Sequence, residues 1–171
     1  MKKTLFLLAV AALAASCSAK VRDIKVGDGM PAFSLADTVT SQSLLGRPSL
    51  VVFFATWCPG CQAELPSIQE LYEKYGESGK IAIVGFAREQ TSADVDSLWR
   101  QRAFTFPAYA DTERKIYALF AEKNIPRCYL FDASGKLAYK FEGYSPEQVK
   151  VLLKAVEQTV SLVNVEPQKG S

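Results

Sequence analysis

The chain has 171 residues, a formal net charge of +2 and no histidine. Near-neutral charge excludes the basic surface of a nucleic-acid binder. The missing histidine excludes Cys–His nucleophile pairs, histidine metal ligands and histidine acid–base work.

The start reads as a leader. Lys2 and Lys3 precede an apolar run from Leu5 to Ala15, too short for an ordinary transmembrane helix and suited to a signal-peptide core. The run ends in Leu13-Ala14-Ala15-Ser16-Cys17, which resembles a bacterial lipobox, with Ala14 where leucine is commonest. Cys17 is then the lipidated first residue of the mature protein, and ordinary cleavage after Ala19 is the alternative. Each buried methylene of an acyl chain contributes about 0.8 kcal/mol, so several chains hold a protein firmly. Ser18 in place of aspartate favours the outer membrane under the usual lipoprotein sorting pattern. The expected organisation is a signal peptide over 1–16, a lipidated tether over 17–25, one domain over 26–160 and a flexible tail over 161–171. The mature part, about 155 residues, suffices for a full core. Four cysteines suggest two bridges, but with Cys17 spent on lipid only Cys58, Cys61 and Cys128 remain.

Elements then alternate along the chain. Residues 30–46 are turn-rich, with short strands near Ala32–Leu35. Ser49-Leu50-Val51-Val52-Phe53-Phe54-Ala55-Thr56 is an apolar strand, and a helix follows through Tyr75. Ile81–Ala87 is a second continuous apolar run, as expected of a strand covered on both faces. Ser92–Ala103 reads as a helix, Phe106–Ala110 as a short strand and Thr112–Lys123 as a helix. Cys128–Phe131 and Leu137–Phe141 flank Asp132-Ala133-Ser134-Gly135-Lys136, a hairpin with a five-residue loop. Ser145-Pro146-Glu147-Gln148 opens a last helix with a capping box and proline at its first position. Val149, Leu152, Leu153, Val156 and Val160 form its buried stripe. Strands mixed with helices, plus a terminal hairpin, give an α/β fold with a mixed sheet.

The chemistry centres on Trp57-Cys58-Pro59-Gly60-Cys61, where the first strand becomes a helix. Side chains at i and i+3 on a helix are about 5–6 Å apart at Cβ, close enough for a disulfide with modest adjustment. A thiol in the first turn faces unpaired N–H groups and the positive end of the helix dipole, which favour its thiolate. Cys61, Leu65, Ile68, Tyr72 and Tyr75 recur at spacings of 4, 3, 4 and 3 and share the core face. Cys61 is therefore the sheltered thiol and Cys58, at the N-cap, the exposed one. Pro59 falls at the first helical position, where its missing N–H costs nothing. Gly60 has no side chain and lets a partner backbone approach. Pro66, inside the helix, removes a bond to the Gln62 carbonyl and should kink it. A half zinc site is disfavoured, since there is no second Cys-x-x-Cys and no histidine.

Phe53-Phe54-Ala55-Thr56-Trp57-Cys58-Pro59-Gly60-Cys61, Glu64 and Pro66, Ile125-Pro126, Asp132–Lys136 and Gly143 resemble the thioredoxin superfamily. Within it they match the membrane-anchored TlpA-like and ResA-like disulfide reductases. The resemblance spans about Val26 to Val160. It implies a thioredoxin-like sandwich, helices flanking a mixed sheet, with an N-terminal extension and a central helix–strand insert. It implies a cis bond at Ile125–Pro126, with Pro126 beside the two sulfurs and Ile125 pairing with the substrate backbone, an edge recognition tolerant of side-chain identity. Trp57 either shields the site and contacts partners or packs in the core. Thioredoxin carries a buried aspartate where this chain has Val52, so Glu64, one turn from Cys61, becomes the candidate proton partner. Cys128 is read as a small buried hydrophobe, with a third redox or regulatory role as the alternative.

The expected activity is thiol–disulfide exchange, most simply reduction of periplasmic protein disulfides. Cys58 attacks, a mixed disulfide forms, and Cys61 resolves it with help from Glu64. No metal or organic cofactor is required. The implied partners are protein thiols or disulfides and a membrane thiol electron donor, with a monomer lipid-anchored in the bacterial envelope and facing the periplasm. Two alternatives come from other classes. Peroxiredoxins share the fold, but Val51 and Ala55 occupy the places of their proline and threonine; peroxide consumption would discriminate. A non-catalytic lipoprotein module or copper carrier is the other, and a reducible Cys58–Cys61 couple would count against it.

Overall fold

The computed structural model describes residues 23–35 and 39–163. The leader, Cys17 and the end of the chain lie outside these residues. A small antiparallel ribbon, β1 (Ser34–Leu35) and β2 (Val39–Thr40), comes first. Then follow β3 (Ser49–Phe54), α1 (Pro59–Leu71), β4 (Ala82–Arg88), α2 (Ser92–Arg102) and β5 (Ala108–Asp111). The chain closes with α3 (Tyr117–Phe120), β6 (Arg127–Phe131), β7 (Leu137–Glu142) and α4 (Pro146–Val163). The main sheet has the order β5-β4-β3-β6-β7. β3 pairs in parallel with β4, and β4 with β5; β6 runs antiparallel to both β3 and β7. This is the mixed sheet expected, with β3 at its centre.

The period of two along β3 divides the core. Leu50, Val52 and Phe54 meet α1, α2 and α4 on one face through Leu65, Ile68, Leu98, Leu152 and Val156. Val51 and Phe53 meet Phe86, Tyr117, Phe120 and Tyr129 on the other, under the N-terminal segment. Phe53 stacks edge-on against Tyr117, Phe120 and Tyr129 at 4.9–5.9 Å between centroids. Burying each such ring contributes about 1.5–3 kcal/mol, and edge-to-face geometry adds to it. Leu152, Val156 and Val160 of the expected α4 stripe are buried, joined by Ala155 and Thr159, while Val149 and Leu153 are half-buried.

Several expectations need correction. The helix over Thr112–Lys123 is a single turn. The Asp111 carboxylate accepts the N–H groups of Ile116 (3.1 Å) and Tyr117 (2.7 Å) and delays the start. Arg114 stands at φ 59, outside the right-handed helical region. At the other end Ala121 is extended and the Phe120 carbonyl accepts the Ile24 N–H at 3.1 Å. The strand after α2 begins at Ala108, two residues later than expected, because the Phe106 N–H donates to Gln69 Oε1 and its carbonyl accepts from Trp99 Nε1. The α4 cap is half a capping box: Ser145 Oγ accepts the Gln148 N–H, but the Gln148 amide turns to the Glu142 carbonyl. A complete box opens α2 instead, between Thr91 and Asp94. Packing starts ahead of Val26, since Ile24 is buried and Asp23 pairs with Arg127. The last helix runs to Val163, past the expected end at Val160. α1 passes through Pro66 without a break and ends in a π-helical turn over Tyr72–Gly76.

Candidate active site

The end of β3 is held before the motif begins. Thr56 donates its N–H to Gln90 Oε1, and Gln90 Nε2 donates back to Thr56 Oγ1 at 2.8 Å. Gln62 Nε2 donates to the Thr56 carbonyl. The Cys58 N–H then donates to the Ala55 carbonyl at 3.2 Å, folding the chain into a turn that presents Trp57 outward. Trp57 is 64% exposed, so it is a surface residue and not a core one.

Cys58 is the N-cap of α1, and Pro59 occupies the first helical position as expected. The Cys61 N–H donates to Cys58 Sγ at 3.3 Å. One of the helix's unpaired donors is thus spent on the sulfur. Both cysteines are free thiols. Cys61 is completely buried and Cys58 is only 7% exposed. The order of access is the expected one, but the expected exposed thiol is itself largely covered and belongs to the core layer of α1. Burial drives the Cys61 pKa far up, and its hydrogen bond with Cys58 adds to this. Cys61 therefore needs a proton acceptor to become a nucleophile.

Glu64 provides one. It is 4% exposed, and burial raises its pKa to about 7, opposed by a hydrogen bond from Cys128. The Cys128 thiol donates to Glu64 Oε2 at 3.4 Å. Cys128 lies opposite Val52 in the β3–β6 register, so the position left apolar by Val52 is faced by a thiol and capped by a carboxylate from α1.

The Ile125–Pro126 bond is cis. Pro126 is buried beside the motif: a Cβ on Gly60 would stand 3.6 Å from Pro126 Cδ. Ile125 is half-buried and packs against both core layers. The preceding loop is fixed from two sides. Arg127 Nε donates to the Lys123 carbonyl at 3.0 Å, and Asn124 Nδ2 donates to Glu142 Oε1 at 2.6 Å. Tyr117 donates its hydroxyl to the Asn124 carbonyl at 2.5 Å.

Cys58, Gly60, Cys61, Glu64 and Pro126 thus form one site, with Pro59 and Trp57 at its rim. Sequence reasoning left Cys128 largely to core packing and did not find Gln90, Gln62 or Arg127. For Cys128 a signal existed. Alternation along the strand after Pro126 sets Cys128 and Leu130 on the α1 side, away from Arg127 and Tyr129. Gln90 lies just past the end of β4, where no local pattern marks it.

The comparisons with known proteins agree with this geometry. The Redoxin family model matches residues 25–156. A thiol-disulfide oxidoreductase ResA of Bacillus cereus is 29% identical over 142 residues, covering 81% of this chain and 80% of its own. The thiol-disulfide oxidoreductase YkuV of Bacillus subtilis is 26% identical over 127 residues, covering 72% and 84%. Among solved structures, a proposed protein disulfide isomerase from Bacteroides thetaiotaomicron superposes with a TM-score of 0.76 at 25% identity, covering 81% of this chain and 91% of its own. With a thiol pair in the first turn of a helix and a cis-proline beside that turn, the chain belongs to the Redoxin family and is a TlpA/ResA-like thiol–disulfide oxidoreductase of the thioredoxin superfamily.

Proposed function

We propose that this oxidoreductase reduces disulfides of periplasmic proteins. The observation that carries the reading is the Cys58 sulfur at the α1 N-terminus, bonded to the Cys61 N–H, with Pro126 packed beside Gly60 of the same turn. The Cys58 thiolate attacks one sulfur of the client disulfide, and the other client sulfur leaves as a thiolate. Cys61 passes its proton to Glu64 and attacks Cys58 Sγ. The second client sulfur leaves and takes up that proton. Two electrons have moved to the client, and the enzyme holds a Cys58–Cys61 disulfide. A membrane thiol carrier then restores the dithiol. Trp57, Pro59, Gly60 and Ile125 form the surface that meets an extended client segment.

The reading includes an anchor. Cys17 carries lipid, and the monomeric domain faces the periplasm, the outer membrane being favoured by Ser18. Among the described residues no helix is long and apolar enough to cross a membrane. Cys17→Ser should move the protein from the membrane fraction to the soluble one; retention in the membrane would remove the anchor from the reading.

The deciding experiment is a Cys61→Ala trap in the full chain. It should accumulate mixed disulfides on Cys58, and mass spectrometry of those adducts identifies the clients. Adducts absent from Cys58, or borne by Cys128, would overturn the assignment of roles.

A further inference from the structure

We propose that Cys128 is a positioning residue, its thiol holding the Glu64 carboxylate in place for proton exchange with Cys61. The inference rests on Glu64 as the proton partner of Cys61. Three elements meet at this point. α1 brings Cys61 and Glu64, one turn apart. β6 brings Cys128, and β3 brings apolar Val52 directly opposite it. Cys128 is completely buried, and its 3.4 Å bond to Oε2 ties Glu64 to the sheet. The titratable groups that interact with Glu64 are Cys61 on α1 and Cys128 on β6. β3 and α4 meet this layer with apolar side chains, among them Val52, Leu152 and Val156.

A thiol suits the task. An S–H is a weak donor, so it orients a carboxylate without locking it in the ionised form. Burial first, then the Glu64 carboxylate, hold the Cys128 pKa well above its ordinary value. Cys128 therefore stays protonated while Glu64 gains and loses its proton near neutrality, and it does not compete as a thiolate. Any donor to a carboxylate favours the charged form. Without Cys128 the buried Glu64 would ionise only at higher pH and would lose its fixed direction.

The test is the pH profile of disulfide reduction by the full chain carrying Cys128→Val, Cys128→Ala or Cys128→Ser. In the valine and alanine variants the acid limb should move up by about one pH unit. That is a roughly tenfold loss at pH 6 that vanishes by pH 9. In the serine variant, which keeps a donor, the limb should stay in place or move down. Side-chain 13C titration of Glu64 in the reduced protein should show the same pattern without turnover. A limb unmoved by valine and alanine, or moved equally by serine, overturns the proposal. Glu64→Gln separates the two ideas. If it abolishes the limb while the Cys128 variants leave it in place, only the positioning role falls. If the limb survives Glu64→Gln, the Glu64 reading falls and takes this one with it.

Discussion

Gly60 and Pro126 face each other across the site, and Tyr144 closes the third side. A methyl group on Gly60 would stand 3.6 Å from Pro126 Cδ and 3.3 Å from Tyr144 Cβ. The first distance is ordinary contact; the second asks the Gly143–Tyr144 turn to yield by a few tenths of an ångström. The missing side chain thus keeps the first turn of α1 close to the cis-proline loop.

Gly60→Ala should fold normally and raise KM for a protein disulfide severalfold, while reduction of a small aromatic disulfide is nearly unchanged. Gly60→Val should impair both, since its branches reach the Pro126 ring. Equal KM values for wild type and Gly60→Ala with a protein client would show that no client backbone passes here.

The Gln90–Thr56 clamp predicts a stability effect from outside the motif. Gln90→Leu keeps the volume but leaves the Thr56 N–H without its acceptor. An unsatisfied buried donor costs about 1–3 kcal/mol. Gln90→Glu retains an acceptor and should lose less. Urea denaturation of the three proteins gives the order directly; a leucine variant as stable as wild type would mean that water replaces the glutamine.

Much of this was legible in the sequence because it depends on local pattern. The run Ser49–Phe54 had to be a buried strand, and the 4-3-4-3 spacing after it set Cys61 inward. The cis Ile125–Pro126 bond came only from resemblance, since an X-Pro pair by itself is overwhelmingly trans. The helix expected over Thr112–Lys123 failed for a tertiary reason: Asp111 and Ile24 claim the backbone groups at its two ends. Cys128 was ambiguous because its partner lies 64 residues away on another element. Cys58 was expected to be open, but it is buried with the core layer of α1, which helix position alone does not reveal.

Arg127 predicts how the cis-proline loop is held. It is 2% exposed and pairs with Asp23 at 3.0 Å and Glu142 at 3.2 Å, while donating to the Lys123 carbonyl. Both acids are nearly half exposed, so each pair alone is screened and contributes little, about 0–1 kcal/mol. Asp23→Asn should therefore be mild. Arg127→Leu strips the Lys123 carbonyl of its donor beside Pro126 and should cost more, about 2 kcal/mol. Limited proteolysis should then cut near Lys123 or Asn124. Equal stability of the two variants would place the value of Arg127 in the ion pairs alone.

Glu64 should leave a signature in stability as well as in rate. Its pKa of about 7 stands above the ordinary 4.5 because it is buried. Below pH 4.5 both folded and unfolded chains hold the proton, and Glu64 contributes no pH dependence. As pH rises from there to about 7 the unfolded chain loses that proton and the folded one keeps it, so stability falls with pH. The interval, 7 − 4.5 = 2.5 units, corresponds to on the order of 3 kcal/mol. Above pH 7 both forms are ionised and the penalty is constant. Glu64→Gln can still accept from Cys128 and carries no charge to desolvate. It should match wild type near pH 4 and exceed it by about 3 kcal/mol at pH 8. Denaturation under reducing conditions at pH 4, 6 and 8 measures this. Parallel stability curves for the two proteins would mean that Glu64 ionises as freely in the fold as in water, and it would then lack the near-neutral pKa that proton exchange with Cys61 requires.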